Sequence, residues 1–141
     1  MYTTLVTTQD KALCHLFLHC CFRDGQFSPS EIDDVSEKFV RLGLNEELNF
    51  QEELRDYRSY SGALGDEQSY IQFLIGQICP TNDLALYSYC VELAVSDMSV
   101  DYAEDRLFKI LGAALNIPSP DQELIQKLII QRRLVLDEKF F

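Results

Sequence analysis

Residues 23–44 read RDGQFSPSEIDDVSEKFVRLGL, a pattern that contains the end of one helix, a tight turn and the start of a second helix. Gly25 can adopt the left-handed conformation that closes a helix. Ser28 is a favoured N-cap residue, and Pro29 follows at the first helical position, where its missing N–H costs nothing. Glu31 lies three residues after Ser28 and completes a capping box. The stretch therefore predicts a helix–loop–helix unit.

The same pattern recurs 73 residues later in the chain. Its acidic residues align in two pairs, Asp24 with Asp97 and Glu31 with Glu104. Asp101 takes the N-cap position in the second copy, so this copy also has a capping box. We interpret the recurrence as an internal duplication. The alternative is that two helix–turn–helix units share the same spacing without any functional meaning. The two halves cover roughly residues 8–44 and 81–117 and predict pseudo-symmetry.

The composition indicates a folded, acidic protein. The chain has 141 residues, which suits one domain, and 47% of its residues are hydrophobic, which excludes disorder. Its formal net charge of −11 makes nucleic-acid binding unfavourable, because an acidic surface repels phosphate groups. The same charge suits a cation or a basic protein partner. A solvated surface with no ligand is the more common explanation of such a charge.

The N-terminal residues and the cysteines provide information about the cellular compartment. Residues 1–14 read MYTTLVTTQDKALC and lack the basic start and apolar run of a signal peptide. No apolar run reaches the roughly 18–20 residues that a membrane span requires. The five cysteines are an odd number in mostly apolar helical settings, which favours reduced, buried thiols. We therefore expect a cytoplasmic protein without a membrane span.

The hydrophobic pattern predicts an all-α single domain of about seven helices over residues 1–141. Apolar residues recur at helical spacing, and no segment alternates with the period of a strand. The predicted helices cover residues 8–23, 29–42, 50–60, 66–79, 81–96, 102–116 and 121–138. The fifth is apolar on nearly every side and is expected at the centre of the fold. The last is expected to bury a stripe that includes Leu124 and Leu128.

Asp24 and Asp97 each lie at or just past the predicted C-terminal end of a helix. The helix dipole disfavours a negative charge there by a few tenths to about 1 kcal/mol. One interpretation is structural, because such carboxylates accept hydrogen bonds from loop N–H groups. The other is cation binding, because carboxylates and loop carbonyls supply hard oxygen ligands. Glu31 and Glu104 are explained as capping residues, so a role as ligands would be additional, and both interpretations stay open.

Two histidines raise a separate hypothesis. His15 and His19 are four residues apart on one predicted helix, a spacing that a zinc ion can use. No glutamate follows His15, so the metalloprotease motif is missing, and a histidine pair of this kind usually lies on a solvent-facing or half-buried helix face. An enzyme would have to depend on this pair together with Cys14 and Asp24. Because motifs for a nucleophile or a nucleotide are missing, we predict a protein that is not an enzyme.

At these turns the sequence resembles a known family. RDGQFSPSEIDDVSEKFVRLGL is similar to the signature of TerB-like domains, which are named for tellurite resistance. SDMSVDYAEDRLFKILGAALNI resembles the second turn of that family, although Met98 replaces its turn glycine. The resemblance covers roughly residues 8–136. It implies an all-α fold of about seven helices in two pseudo-symmetric halves, and a role in stress response without catalysis.

The resemblance also implies a site for a divalent cation, Ca²⁺, Zn²⁺ or Mn²⁺. By position, the family's acidic ligands correspond to Asp24, Glu31, Asp97 and Glu104. The leading hypothesis is therefore a TerB-like protein that binds a cation or uses the same acidic face for a protein partner in a stress-response complex. The alternative is an interaction scaffold whose acidic turns are only helix caps. In that case an apolar groove, beside the weakly patterned third helix, would bind the partner.

Overall fold

The computed structural model describes residues 1–23, 28–95, 102–139 and 141, with the backbone alone at 102 and 103. These residues form eight α-helices and a 3₁₀ turn at Leu44–Glu46, and they contain no strand. The helices are α1 (Tyr2–Leu5), α2 (Gln9–Phe22), α3 (Pro29–Arg41), α4 (Phe50–Ser61), α5 (Glu67–Ile78), α6 (Asp83–Ala94), α7 (Tyr102–Ala114) and α8 (Ser119–Glu138). The all-α prediction is confirmed. The short α1 is the helix that the periodicity did not predict, because four residues are too few to show a period.

Contacts divide the chain into two compact units. Unit 1 is Met1–Pro80 and contains α1 to α5, and unit 2 is Thr81–Phe141 and contains α6 to α8. The prediction of a single domain, like that of pseudo-symmetric halves, stays a prediction. No helix in the described parts of the chain is long and apolar enough to cross a membrane.

Three of the predicted helix starts are confirmed by their caps. The side chain of Thr8 accepts a hydrogen bond from Lys11 N, Ser28 from Glu31 N, and Asn49 from Glu52 N. Each bond satisfies one of the backbone N–H groups that a helix start leaves without a partner in the helix. The caps could be predicted because each depends only on residues three positions apart. Asp24 and Asp97 lie outside the described residues.

Helix α2 is the centre of unit 1. It packs against α3, α4 and α5, and every residue from Cys14 to Phe22 is buried. A helix surrounded on all sides must bury its polar residues as well, so its two histidines enter the core. Helix α4 approaches with Leu54, Tyr57 and Tyr60, which are all buried. This arrangement fixes the positions of the polar groups described below.

Unit 2 consists of α6, α7 and α8, which pack against one another. Leu107, Phe108 and Leu111 on α7 are fully buried. The stripe predicted for α8 is wrong at Leu124 and Leu128, which are 55% and 53% exposed. Helix α8 has two neighbouring helices in its unit and contains no fully buried residue, so helical spacing alone overstated its contact face.

Candidate functional site

The two histidines of the chain lie in the core of unit 1. His15 and His19 are 0% and 2% exposed, one turn apart on the same face of α2. The expectation of a solvent-facing or half-buried pair is therefore wrong. A buried imidazole needs hydrogen-bond partners, because a buried polar group without one costs free energy. Helices α4 and α5 supply these partners.

The first group of hydrogen bonds is centred on His15. Its Nε2 lies 2.9 Å from Glu53 Oε1, and its Nδ1 lies 2.6 Å from the hydroxyl oxygen of Tyr60. The Tyr60 hydroxyl in turn lies 2.5 Å from the hydroxyl of Tyr70. The Nζ atom of Lys11 is 3.8 Å from Glu53 Oε2. We call these five residues the His15 chain.

The second group is centred on His19 and repeats the same order of partners. His19 Nε2 lies 2.7 Å from Glu67 Oε2, and its Nδ1 lies 2.9 Å from the hydroxyl of Tyr57. Arg23 donates from Nε to Glu67 Oε2 at 2.9 Å and from Nη2 to Glu67 Oε1 at 2.5 Å. This bidentate pairing fits the planar guanidinium group. We call these four residues the His19 chain.

The partners determine where the protons lie. An ionised carboxylate can only accept, so Nε2 of each histidine carries the hydrogen. In a neutral imidazole Nδ1 then accepts the hydrogen of the tyrosine hydroxyl. Tyr60 donates to His15 in this way, and its oxygen accepts from Tyr70. Neutral histidines therefore satisfy every group, and each chain combines one carboxylate with one cation.

The electrostatic environment supports this assignment. Burial lowers the pKa of His19, and the charge of Arg23 lowers it further, against an opposing effect of Glu67. Burial alone would raise the pKa of Glu67, but hydrogen bonds from His19 and Arg23 outweigh it and lower that pKa to about 2. Burial raises the pKa values of Tyr57, Tyr60 and Tyr70, so these hydroxyls keep their protons. The His19 chain thus holds a neutral histidine beside an ionised Glu67.

Aromatic packing encloses both chains. The rings of His15 and Tyr60 are stacked with centroids 5.7 Å apart, and His19 meets Tyr70 edge-on at 5.1 Å. Tyr2 on α1 covers Tyr70 at 4.9 Å, also edge-on. All four imidazole nitrogens already have a hydrogen-bond partner, so a zinc ion could bind them only after those bonds break. The arrangement is suited to holding protons in fixed positions rather than to receiving a ligand.

The acidic residues predicted as cation ligands are only partly described. Glu31 is half-buried, and the Ser28 hydroxyl donates to its Oε1 at 2.8 Å. Glu104 is 9% exposed and lies in the first turn of α7. Among the described residues, no group of three or more His, Cys, Asp or Glu side chains is arranged to hold a metal ion. Since Asp24 and Asp97 lie outside those residues, the cation site stays a prediction.

A groove lies beside α4, the third predicted helix. Its volume is about 410 Å³, and its lining residues are Gln51, Leu54, Arg55, Arg58 and Ser59. The scaffold hypothesis expects a groove in this place, and apolar atoms contribute most of its lining surface, although four of the five lining residues have polar side chains. The inner face of the same helix carries Glu53, Tyr57 and Tyr60.

Sequence analysis missed the partners of the histidines. Glu53, Tyr57 and Tyr60 are spaced at i, i+4 and i+7, so they share one face of α4. The spacing of His15, His19 and Arg23 places these residues on one face of α2 in the same way. That periodicity was a usable signal. It was overlooked because a face with Glu and His does not count as apolar.

Comparison with known proteins does not assign this chain to a family. No family model matches the sequence, and neither a curated protein nor a solved structure matches it. The fold and the site define an all-helical protein with a buried tyrosine–histidine–glutamate network in unit 1.

Proposed function

We propose that this chain is a non-enzymatic, cytoplasmic TerB-like protein of tellurite resistance or a related stress response. Its acidic turns bind a divalent cation (Ca²⁺, Zn²⁺ or Mn²⁺) through Asp24, Glu31, Asp97 and Glu104, or contact a protein partner in a stress-response complex. The observation that carries the proposal is that Glu31 and Glu104 both lie in the first turn of a helix, at the starts of α3 and α7, where the two acidic turns of the sequence lead into those helices. The net charge of −11 also favours cations.

We expect the chelator-treated protein to bind at least one of these cations in a saturable manner by calorimetry. The double variant Asp24→Asn with Asp97→Asn loses this binding because it removes one charged ligand from each turn. Asp33→Asn with Asp137→Asn is the matched control, since both residues are exposed, on α3 and α8, and the net charge changes equally. Unchanged binding in the double variant, or no binding by the wild type, would contradict the cation site.

Glutamine variants separate a ligand from a helix cap. Gln can replace Glu in a capping box, but it is a much weaker ligand for a hard cation. Glu31→Gln and Glu104→Gln should therefore weaken cation binding and leave the thermal midpoint of the cation-free protein nearly unchanged. Unaltered cation binding in both variants, with the midpoint also unchanged, assigns both residues a capping role alone.

The groove beside α4 favours a second candidate function, the binding of an acidic segment of another protein. Arg55 and Arg58 are exposed, and both line the groove. Arg55 has no ion pair with any described residue. Guanidinium groups bind carboxylates in bidentate fashion, and Gln51 and Ser59 add hydrogen-bonding groups beside them. Two such groups in one groove of an acidic chain are complementary to a glutamate-rich segment.

Charge reversal tests this groove. We expect Arg55→Glu with Arg58→Glu to weaken the binding of a fluorescent glutamate-rich peptide by about tenfold or more at low salt, measured by anisotropy. Arg106→Glu with Arg132→Glu is the matched control, because both residues are exposed in unit 2 and the net charge changes equally. If the control weakens binding as much, only the net charge matters and the groove is not the site.

A further inference from the structure

We propose that the His19 chain makes unit 1 an acid-sensitive switch, in which protonation of His19 loosens the packing of α4 and α5 on α2. At neutral pH the carboxylate of each chain is already matched by a cation, Glu53 by Lys11 and Glu67 by Arg23. A proton added to either imidazole therefore leaves an uncompensated positive charge among buried groups. Such a charge is costly, because low-polarity surroundings solvate it poorly.

The charged and titratable groups around the histidines come from four helices. They are Tyr2 on α1, Lys11, Cys14, Cys20 and Arg23 on α2, Glu53, Asp56, Tyr57 and Tyr60 on α4, and Glu67 and Tyr70 on α5. The carboxylates hydrogen-bonded to the imidazoles are Glu53 and Glu67. Asp56 faces Tyr60 instead. None of these helices thus brings a further carboxylate to an imidazole nitrogen within the described residues.

Protonation of a histidine also reverses the direction of a hydrogen bond, which adds a second free-energy cost. A protonated histidine donates from Nδ1, so Tyr57 and Tyr60 must turn from donors into acceptors at that nitrogen. Tyr60 can then donate to Tyr70, but Tyr70 has no other hydrogen-bond partner in the described parts of the chain. Tyr57 likewise bonds there to His19 alone. Both hydroxyl groups are buried, so protonation leaves two buried O–H donors without an acceptor.

The pH range follows from the shifted pKa values. The pKa of His19 is lower in the folded chain than its ordinary value of 6.5, so unfolded chains bind the proton first as the pH falls. The contribution of His19 to folding stability is fully present above pH 6.5 and is lost as the pH falls below that value. Glu67, with a pKa of about 2 against an ordinary 4.5, contributes stability above pH 4.5 that is lost toward pH 2. Opening should therefore begin near pH 6.5. Below that value, each further fall of one pH unit shifts the equilibrium toward the open state about tenfold for each proton bound.

The experiment uses the unmodified full chain, whose only histidines are His15 and His19. Imidazole resonances and amide hydrogen exchange are followed together from pH 7.5 to 5.0. We expect the His19 imidazole to keep the shifts of the neutral Nε2–H form until protection in α2, α4 and α5 falls. The exchange rates there, corrected for intrinsic pH dependence, should rise by up to about tenfold for each unit by which the pH falls. Unit 2 lacks histidine and serves as the internal reference, with constant protection in α6 and α8.

The proposal fails if the His19 imidazole titrates near pH 6.5 while protection in unit 1 stays constant. It also fails if α6 and α8 lose protection equally, because the response would then not belong to the histidines of unit 1. His19→Gln is the test variant, since its amide can donate to Glu67 but does not titrate. Its exchange rates in unit 1 should rise less steeply than those of the wild type as the pH falls. The wild-type measurement decides the question even if that variant does not fold.

Discussion

Replacing Glu67 with leucine lowers the free energy of unfolding of unit 1 by about 3–5 kcal/mol. The change removes the acceptor of both Arg23 hydrogen bonds and of the Nε2–H group of His19. A half-buried guanidinium and a buried imidazole then lack the carboxylate that compensates their burial. Urea unfolding followed by circular dichroism at pH 7.5 gives the free energy, and hydrogen exchange in α5 assigns the loss to unit 1.

Glu37→Leu is the matched control for this prediction. Glu37 also pairs with an arginine, Arg41, at 3.2 Å, but these side chains are 63% and 73% exposed. Exposed pairs contribute about 0.2–1 kcal/mol because water screens them. Equal losses for the two variants would show that the Glu67 carboxylate is not the centre of the His19 chain. The difference between them should also shrink as the pH falls toward 2, where Glu67 takes up a proton.

A leucine pair in unit 2 supplies the second large prediction. Leu111 on α7 is fully buried, so Leu111→Ala should lower the free energy of unfolding by about 2–5 kcal/mol. The loss combines the transfer free energy of the deleted methyl groups with the cavity that they leave. Thermal and urea unfolding by circular dichroism measure it, and hydrogen exchange in α7 assigns it to unit 2.

Leu128→Ala makes the same chemical change on α8 at a side chain that is 53% exposed. Half of this side chain is already in water, so we expect a loss of less than about 1 kcal/mol. The helical spacing of the sequence predicts a large loss here, because it places Leu128 in a buried stripe. The two variants therefore distinguish the burial seen in the structure from the burial that the hydrophobic periodicity predicts. A loss at Leu128 as large as that at Leu111 would mean that this face of α8 is covered.

Local signals predicted the helices well. Thr8, Ser28 and Asn49 were identified as caps because the physics of a helix start involves only the next three residues. The turn signals between helices also depend only on residues close in sequence, and they correctly predicted most of the boundaries between the observed helices. The same reasoning could not find α1, and it placed the start of α8 two residues late. Helix α1 has only four residues, which are too few to show a period, and helix boundaries commonly shift by one or two residues.

The candidate site depends on contacts that no local pattern contains. Glu53 and Glu67 lie 38 and 48 residues from the histidines that they contact. Their pairing follows from how α4 and α5 pack on α2. The hydrophobic periodicity of a helix predicts which face is buried, but it does not predict which other helix packs against that face. The predicted cation ligands present the opposite situation. Their spacing in sequence is clear, yet the turns that hold Asp24 and Asp97 lie outside the described residues, so their role stays a prediction.

The cysteines give the molecule a built-in reporter. Cys79 is exposed, whereas Cys14, Cys20, Cys21 and Cys90 are buried. Burial also raises the pKa of Cys14, so its reactive thiolate is scarce in the folded chain. A maleimide dye should therefore label the native protein once, at the last residue but one of unit 1. Slower labelling of the three thiols of α2 would then time each opening of the helix that carries both histidines.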